Sequence, residues 1–381
     1  DVGGQSQVLV QFYYEDNDFW AWYWAVDDVK FSRKDQNNIQ ANSAYIYGES
    51  HFGAEYGRVP LDEVDANWVL GAVVSNDGVN DQTNVTLDTD FGSFNTSTSF
   101  GIVEADSTST IESLEPLTLN TGIYQGTFTV SSDSDQVGGA NFSDNTFERN
   151  FEVTSGEFSL DGIGIHPAGQ EVLSSLGSNS FTGGEDGLVC ANYYPLKQTQ
   201  VLNSVRTYIT STSIAGAEII LYVIDSLSFT SGAFGNAVFT SDLYSLTIND
   251  IANGYFDIST TLLSGWDPVS NTSTWENLTI SPGGYYVGVE LFSGGNTYDV
   301  RIVDDFTVTQ PFWSSAIWFP QDQAYSNGNC FAIRLIFGAN VGINESVKNK
   351  VSIYPNPTSD VLNISTNSNE WSELIIKDIT G

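Results

Sequence analysis

Along most of the chain apolar and polar residues alternate with a period of two, in short runs punctuated by Gly, Pro, Asn, Asp and Ser. That pattern predicts half-buried β-strands rather than amphipathic helices, which would need a period near 3.6. Residues 8–14 read as a first strand and residues 20–31 (WAWYWAVDDVKF) as a second, with a turn at Glu15–Asp18 between them. Residues 34–60 are polar but carry Tyr45, Tyr47, Phe52 and Tyr56. A flexible linker would lack such rings, so this stretch is expected to be an ordered connector laid against a neighbour.

Residues 61–155 predict a sandwich of short strands at 68–74, 85–88, 111–116 and 122–130, with further pieces at 144–147 and 151–154. Ser75-Asn76-Asp77-Gly78 has hairpin-turn chemistry. Residues 156–340 are long enough for a jelly roll, with strands expected at 201–210, 217–224, 254–258, 278–280, 285–291 and 331–337. Pro282-Gly283-Gly284 marks a tight turn before the fifth of these. In residues 345–381, Val351 and Ile353 begin a small β-unit, 361–364 a second strand and 374–376 a third. Pro355 and Pro357 keep the backbone around Asn356 stiff and extended. The expected fold class is therefore all-β, as tandem β-sandwiches. Two strands cannot bury a core alone, so residues 1–33 are expected to be the closing hairpin of a jelly roll lying upstream.

Composition agrees with this picture. The 381 residues are 40% apolar and 13% aromatic, enough for real cores, and 35 are Gly. There is no Met and no secretory leader, so the chain is expected to be a mature piece of something longer. No run of 18 apolar residues suggests a membrane span. Against 47 acids stand 12 bases, a formal charge of −35. Such a surface disfavours nucleic acid and anionic lipid as partners, and it offers oxygen ligands to calcium.

The C-terminal wording is more specific than its pattern. Val351-x-Ile353-Tyr354-Pro355-Asn356-Pro357-Thr358, followed by Asp360-Val361-Leu362-Asn363-Ile364, resembles the start of the C-terminal sorting domain of type IX secretion cargo in Bacteroidetes. The match covers 31 residues, whereas members of that family usually continue for several more strands. The resemblance implies export across the outer membrane, with Tyr354, Pro355, Asn356 and Pro357 as the core of the signal and the export machinery as partner. Trp24-Ala25-Val26-Asp27-Asp28-Val29 resembles the last hairpin of choice-of-anchor J, MAM-like jelly rolls of secreted bacterial proteins. In that family an acid near this place helps hold a structural calcium, which makes Asp27 and Asp28 candidates. Asp16 and Asp18, in an oxygen-rich turn, are candidates on chemistry alone. The order of pieces in residues 61–155 resembles a CARDB-type Ig-like module, and residues 156–340 resemble accessory sandwiches found beside sorting domains. Asp106-Ser107-Thr108 and Asp225-Ser226-Leu227 resemble the short acceptor pattern for O-glycosylation in these bacteria, at Ser107 and Ser226.

Cys190 and Cys330 suit one disulfide in an exported protein. They precede the first and last long strands of the expected jelly roll, which are commonly neighbours. Closing a loop of about 140 residues would be worth roughly 5 kcal/mol.

Catalytic signals are sparse. The sequence holds no His-Glu-x-x-His, Gly-x-Ser-x-Gly or phosphate-binding glycine loop. His51 and His166 sit in no ligand-spaced cluster. Asp304-Asp305 is a carboxylate pair of the kind a glycosidase uses, in a chain rich in acids. Trp313, Trp318 and Phe319 offer rings for sugar stacking, or for core packing under a loop. The reading that follows is a non-enzymatic, extracellular or outer-membrane-surface β protein for adhesion or surface assembly, with glycans or other surface proteins as partners. The alternatives are the accessory domains of a secreted hydrolase, or a carbohydrate-binding module.

Overall fold

Strands with one apolar face need a second layer to cover it, and the chain builds two such pairs of layers. The computed structural model describes residues 7–14, 26, 34–136, 138–139, 141–267, 272–320, 323–338, 352–354 and 363–365. The first nine strands are β1 (Ile39–Gly48), β2 (Arg58–Pro60), β3 (Asn67–Asn76), β4 (Gln82–Asp90), β5 (Asn95–Val103), β6 (Ser107–Pro116), β7 (Gly122–Ser131), β8 (Thr146–Thr154) and β9 (Glu157–Ser159). There follow β10 (Leu173–Gly177), β11 (Asp186–Leu196), β12 (Gln200–Tyr208) and β13 (Glu218–Asp225), then helix α1 (Ser226–Thr230). After the short β14 (Phe239–Thr240) and β15 (Tyr244–Ser245), helix α2 (Ile248–Asn253) leads to β16 (Tyr255–Ser259), β17 (Thr261–Asp267), β18 (Thr272–Ile280) and β19 (Gly283–Phe292). The last strands of the body are β20 (Arg301–Asp305), β21 (Ser315–Phe319), β22 (Gln323–Ser326), β23 (Cys330–Phe331) and β24 (Ile333–Phe337). The protein is all-β, as its alternation predicts.

In the first sandwich an antiparallel β1–β3–β6 sheet packs on the β5–β4–β7–β8 side of a much larger sheet. Trp68 and Leu70 on β3 meet Phe151 and Phe128 of the facing layer, and Trp68 stacks on Phe151 with ring centroids 5.0 Å apart. The second sandwich sets β12, β16, β18 and β24 against a sheet ordered β14–β13–β19–β11–β21–β22. Leu202, Val205 and Leu335 from one layer bury against Leu221, Val287 and Val289 from the other. A smaller sheet, β10–β20–β23, lies beside them.

The two sandwiches are not beads on a string. β2 pairs in parallel with β8 (Arg58↔Glu152, Val59↔Val153, Pro60↔Thr154) and antiparallel with β9, which in turn pairs with β24. One sheet of 11 strands therefore runs from β17 through β24, β9, β2 and β8 to β5, and a single apolar core follows it through both sandwiches. Residues 34–60, expected as a connector, instead supply β1 to the first sandwich and β2 to the joint.

Other expectations need correcting. The Ser75–Gly78 turn is no hairpin: β3 pairs with β1 and β6 while β4 lies in the other sheet, and the turn is held by Asp77 N and Gly78 N donating to Asn38 O. Residues 7–14 form no strand; Leu9 is 91% exposed, since an alternating stretch gains strand structure only where a partner ladder exists. Cys190 and Cys330 are free, buried thiols, which burial pushes well above the usual thiol range. Cys190 lies in β11 opposite Val289 and Ile317, whereas Cys330 pairs with Asp305 in the smaller sheet. The two strands touch through Asn192 Nδ2, which donates to Phe331 O at 2.6 Å, rather than through their sulfurs.

Of the C-terminal unit, β25 (Ser352–Tyr354) and β26 (Asn363–Ser365) are described. They pair antiparallel with Ile353 opposite Ile364, as a two-stranded sheet of their own. Pro355, Asn356, Pro357 and the third expected strand lie outside the described residues.

Candidate functional site

Where the two sandwiches meet, the continuous sheet carries charge into the interior. β24 presents Arg334 between apolar neighbours, and its guanidinium forks onto Asp161, Nε to Oδ2 at 3.0 Å and Nη2 to Oδ1 at 2.6 Å. Its Nη1 donates to Glu157 Oε1 at 2.7 Å. Arg58, on β2, reaches Glu152 at 3.2 Å and Asp161 at 3.8 Å, and donates to Ile163 O at 2.9 Å. Asp161 is fully buried and also accepts from Ser159. Two guanidiniums flank one buried carboxylate, with glutamates at the rim, so the charge is paired out of water; Arg58 Nη1 has no hydrogen-bond partner among the described residues.

A second polar lock lies on the other side of the joint. Glu63 is fully buried and accepts from Lys197 N (2.6 Å), Gln198 N (3.2 Å) and Gln200 Nε2 (2.6 Å). Tyr56 OH donates to Tyr193 O at 2.5 Å. His51 packs edge-on to Tyr56 and Trp68 and accepts at Nδ1 from Gly48 N.

Between these locks sits a third group drawn from distant parts of the chain: Glu55, Arg149, His166, Asp305 and Gln310, around a cavity of about 20 Å³. Asp305 Oδ2 lies 2.6 Å from His166 Nε2 and accepts from Gly162 N, while Oδ1 accepts from Thr307 N. Burial alone would raise Asp305, but its bond to His166 and those from Thr307 hold it below the usual carboxylate range. Its neighbour Asp304 points to the opposite face of β20, as adjacent strand residues must, and accepts from Asn327 Nδ2 at 3.0 Å. The two carboxyls thus have separate partners on separate faces and do not converge on one substrate position. Gln310 bridges the domains by its side chain, accepting from Glu55 N and donating to Glu55 O.

These groups set a pH dependence. Burial pushes Glu55 up to about 7 against the pull of Arg149, and burial together with the Asp305 charge pushes Asp304 up to about 7. Unfolded carboxyls titrate near about 4, so between about pH 4 and 7 the folded chain holds protons the unfolded chain has released. Their contribution is complete at the acid end of that window and is lost as pH rises through 7. His51 acts in the other direction: burial lowers it to about 4, so a cost develops as pH falls from about 6.5. Two carboxyls outweigh one imidazole, and the melting temperature should rise when pH is lowered from 8 to 6. Asp304→Asn, which keeps an acceptor for Asn327, should stabilise the protein at pH 8 by on the order of 2 kcal/mol and flatten that slope. Identical melting of the parent protein at both pH values would refute this.

The candidates read from the sequence fall as follows. Asp16, Asp18, Asp27 and Asp28 lie outside the described residues. Ser107 opens β6, its hydroxyl donating to Glu104 O at 2.6 Å. Asp225 is the N-cap of α1, accepting from Leu227 N and Ser228 N, which accounts for the Asp-Ser-Leu run at half-buried Ser226. Trp318 is core, buried with Phe229 and Tyr286; Trp313 and Phe319 are partly buried against their neighbours. Tyr354 ends β25. Among the described residues no helix is long and apolar enough to cross a membrane, and no three His, Cys, Asp or Glu gather as a metal site. Sequence reasoning missed Glu55, Arg58, Arg149, Asp161 and Arg334. The one available signal was a lone Arg inside the apolar run Ala332–Phe337.

What the sheets and the seam define is an all-β protein of two sandwiches fused through one sheet. No family model matches the chain, and no curated protein matches it. Among solved structures, the cysteine protease and lectin-like domains of a surface layer associated protein of Clostridium difficile align at 13% identity and a TM-score of 0.28, over 56% of this chain and 46% of that one. A GTP-bound GTPase-like domain of S. cerevisiae aligns at 9% identity and a TM-score of 0.12, over 81% of this chain and 47% of that one. The chain spans about half the length of each, and likenesses this faint carry no inference about its fold or chemistry.

Proposed function

We propose that this chain is a non-enzymatic, multi-domain β protein of a Gram-negative bacterium. It is exported by the type IX route and displayed at, or released from, the cell surface for adhesion or surface assembly. The observation that carries this reading is the Tyr354-Pro355-Asn356-Pro357 wording, together with the pairing of the two short strands around it. β25 and β26 pair with each other and, among the described residues, share no ladder with the 11-stranded body. A delivery signal has to be legible to its receptor while the passenger is folded, and a separate small sheet meets that need. The acidic surface suits solubility outside the cell, and the fused sandwiches make a stiff body for display. Antibodies raised against residues 34–338 test the proposal. They should label intact, unpermeabilised producing cells or the culture medium; label only after permeabilisation would overturn it.

A further inference from the structure

The seam opens on one side into a hollow of about 470 Å³, within the roughly 300–1,000 Å³ range of small-molecule sites. One wall is the outer face of β1, where Tyr45 and Tyr47 lie nearly parallel, 20° apart with centroids at 5.8 Å. Tyr45 is laid flat because its cross-strand partner is Gly71: a Cβ there would come within 2.4 Å of the ring. Its hydroxyl is tethered to Glu112 Oε2 at 2.8 Å. The floor holds Glu55 and Arg149, and the far wall carries Thr307 and Thr309.

Arg149 is the informative member. It is 9% exposed, and its Nε has no hydrogen-bond partner among the described residues. The nearest Glu55 oxygen stands 3.5 Å away, too far for a good bond, and Nη1 makes one long contact of 3.4 Å to Glu148 O. A guanidinium has five N–H donors in a fixed fork. The buried Nε is short of an acceptor, which carries a desolvation cost, while the group lines the hollow beside Glu55 and can offer its fork to an acceptor there. Phe147 holds the group from behind, 4.7 Å from ring centroid to Cζ.

We propose that this hollow binds one pyranose ring of a neutral glycan, with an apolar ring face on Tyr47 and a vicinal hydroxyl pair between Arg149 and Glu55. A hydroxyl suits both floor groups, accepting from the guanidinium and donating to the carboxylate. A fixed anion would meet Glu55, Glu148 and a chain of net charge −35. The aromatic wall supplies a rigid apolar surface at low entropic cost. The inference rests on the surface-display reading only for the source of the glycan.

The test is direct binding of the whole chain to a panel of soluble gluco-, galacto- and manno-configured oligosaccharides and matched uronic acid oligosaccharides. At least one neutral member should bind. Tyr47→Ala should weaken it at least about tenfold with unchanged melting temperature, and Arg149→Lys, which keeps the charge but loses the fork, by a similar factor. Binding of no member, of uronic acids alone, or equally by the parent protein and Tyr47→Ala would overturn the site. If Arg149→Lys fails to fold, Tyr47→Ala decides alone. A chain found at the cell surface that binds no member refutes this site and leaves the display reading standing. A chain that binds but stays inside the cell does the reverse.

Discussion

Replacing Arg334 with alanine should cost about 3–5 kcal/mol of stability, the range seen when one partner of a buried ion pair is removed. In a protein of this size that lowers the melting temperature by on the order of 10 °C. The reason is what remains. Asp161, with no exposed surface, would keep only Ser159 and the Ile163 N–H, with Arg58 3.8 Å away on a different strand. The cation also lies over Tyr208, 4.4 Å from its ring centroid, and that contact is lost too. Arg334→Lys should recover little, because an ammonium cannot reproduce the two-pronged contact with Asp161. The double change Arg334→Met with Asp161→Leu should recover much of the loss, since it leaves no orphaned charge. Chemical denaturation of the four proteins checks this. A loss below about 1 kcal/mol in the alanine variant, the size of an exposed pair, would show that the joint is solvated and not the anchor described above.

Deleting residues 351–381 should abolish appearance of the protein outside the cell and leave the melting of the two-sandwich body unchanged. Among the described residues, β25 and β26 share no ladder with the body, and β24, the last strand of the body, is complete at Phe337. Stability and address are therefore separable. Substituting Pro355 and Pro357 together by alanine should reproduce the export defect if the stiff turn is what the machinery reads. Quantitative blotting of cell and medium, beside calorimetry of the purified variant, makes both measurements. Normal export, or a large fall in melting temperature, would each show that this segment is structural and not an address.

Legibility in the sequence followed exposure. Strands whose burial alternates stood out: β7 and β13 match the runs read at 122–130 and 217–224. β11 did not, because its sheet is covered on both faces, by the main core and by the cluster of Phe229, Tyr286 and Trp318. A run such as Leu188–Leu196 then loses its alternation and could belong to any buried element. β5 failed for the opposite reason: it is an edge strand, largely exposed, and its first five residues are all polar. The seam was illegible because its pairs are remote in sequence. Gln310 bonds to Glu55 across 255 positions and Arg334 to Asp161 across 173, and no local spacing encodes that. The domain boundary was misplaced for the same reason, since β2 is a three-residue strand whose partners all come later in the chain.

The position of β24 has a mechanical consequence for a tethered molecule. Tension arriving through residue 338 is delivered to a strand held on both sides, by β12 from Leu202 to Thr207 and by β9 at Phe158 and Ser159. Such a strand cannot be peeled from a margin one hydrogen bond at a time. Two ladders and the Arg334 fork have to yield together, and because the sheet is shared, the load spreads into the first sandwich through β9 and β2. Pulled from that end, the two sandwiches should give way as one unit, in a single high-force event rather than two successive ones.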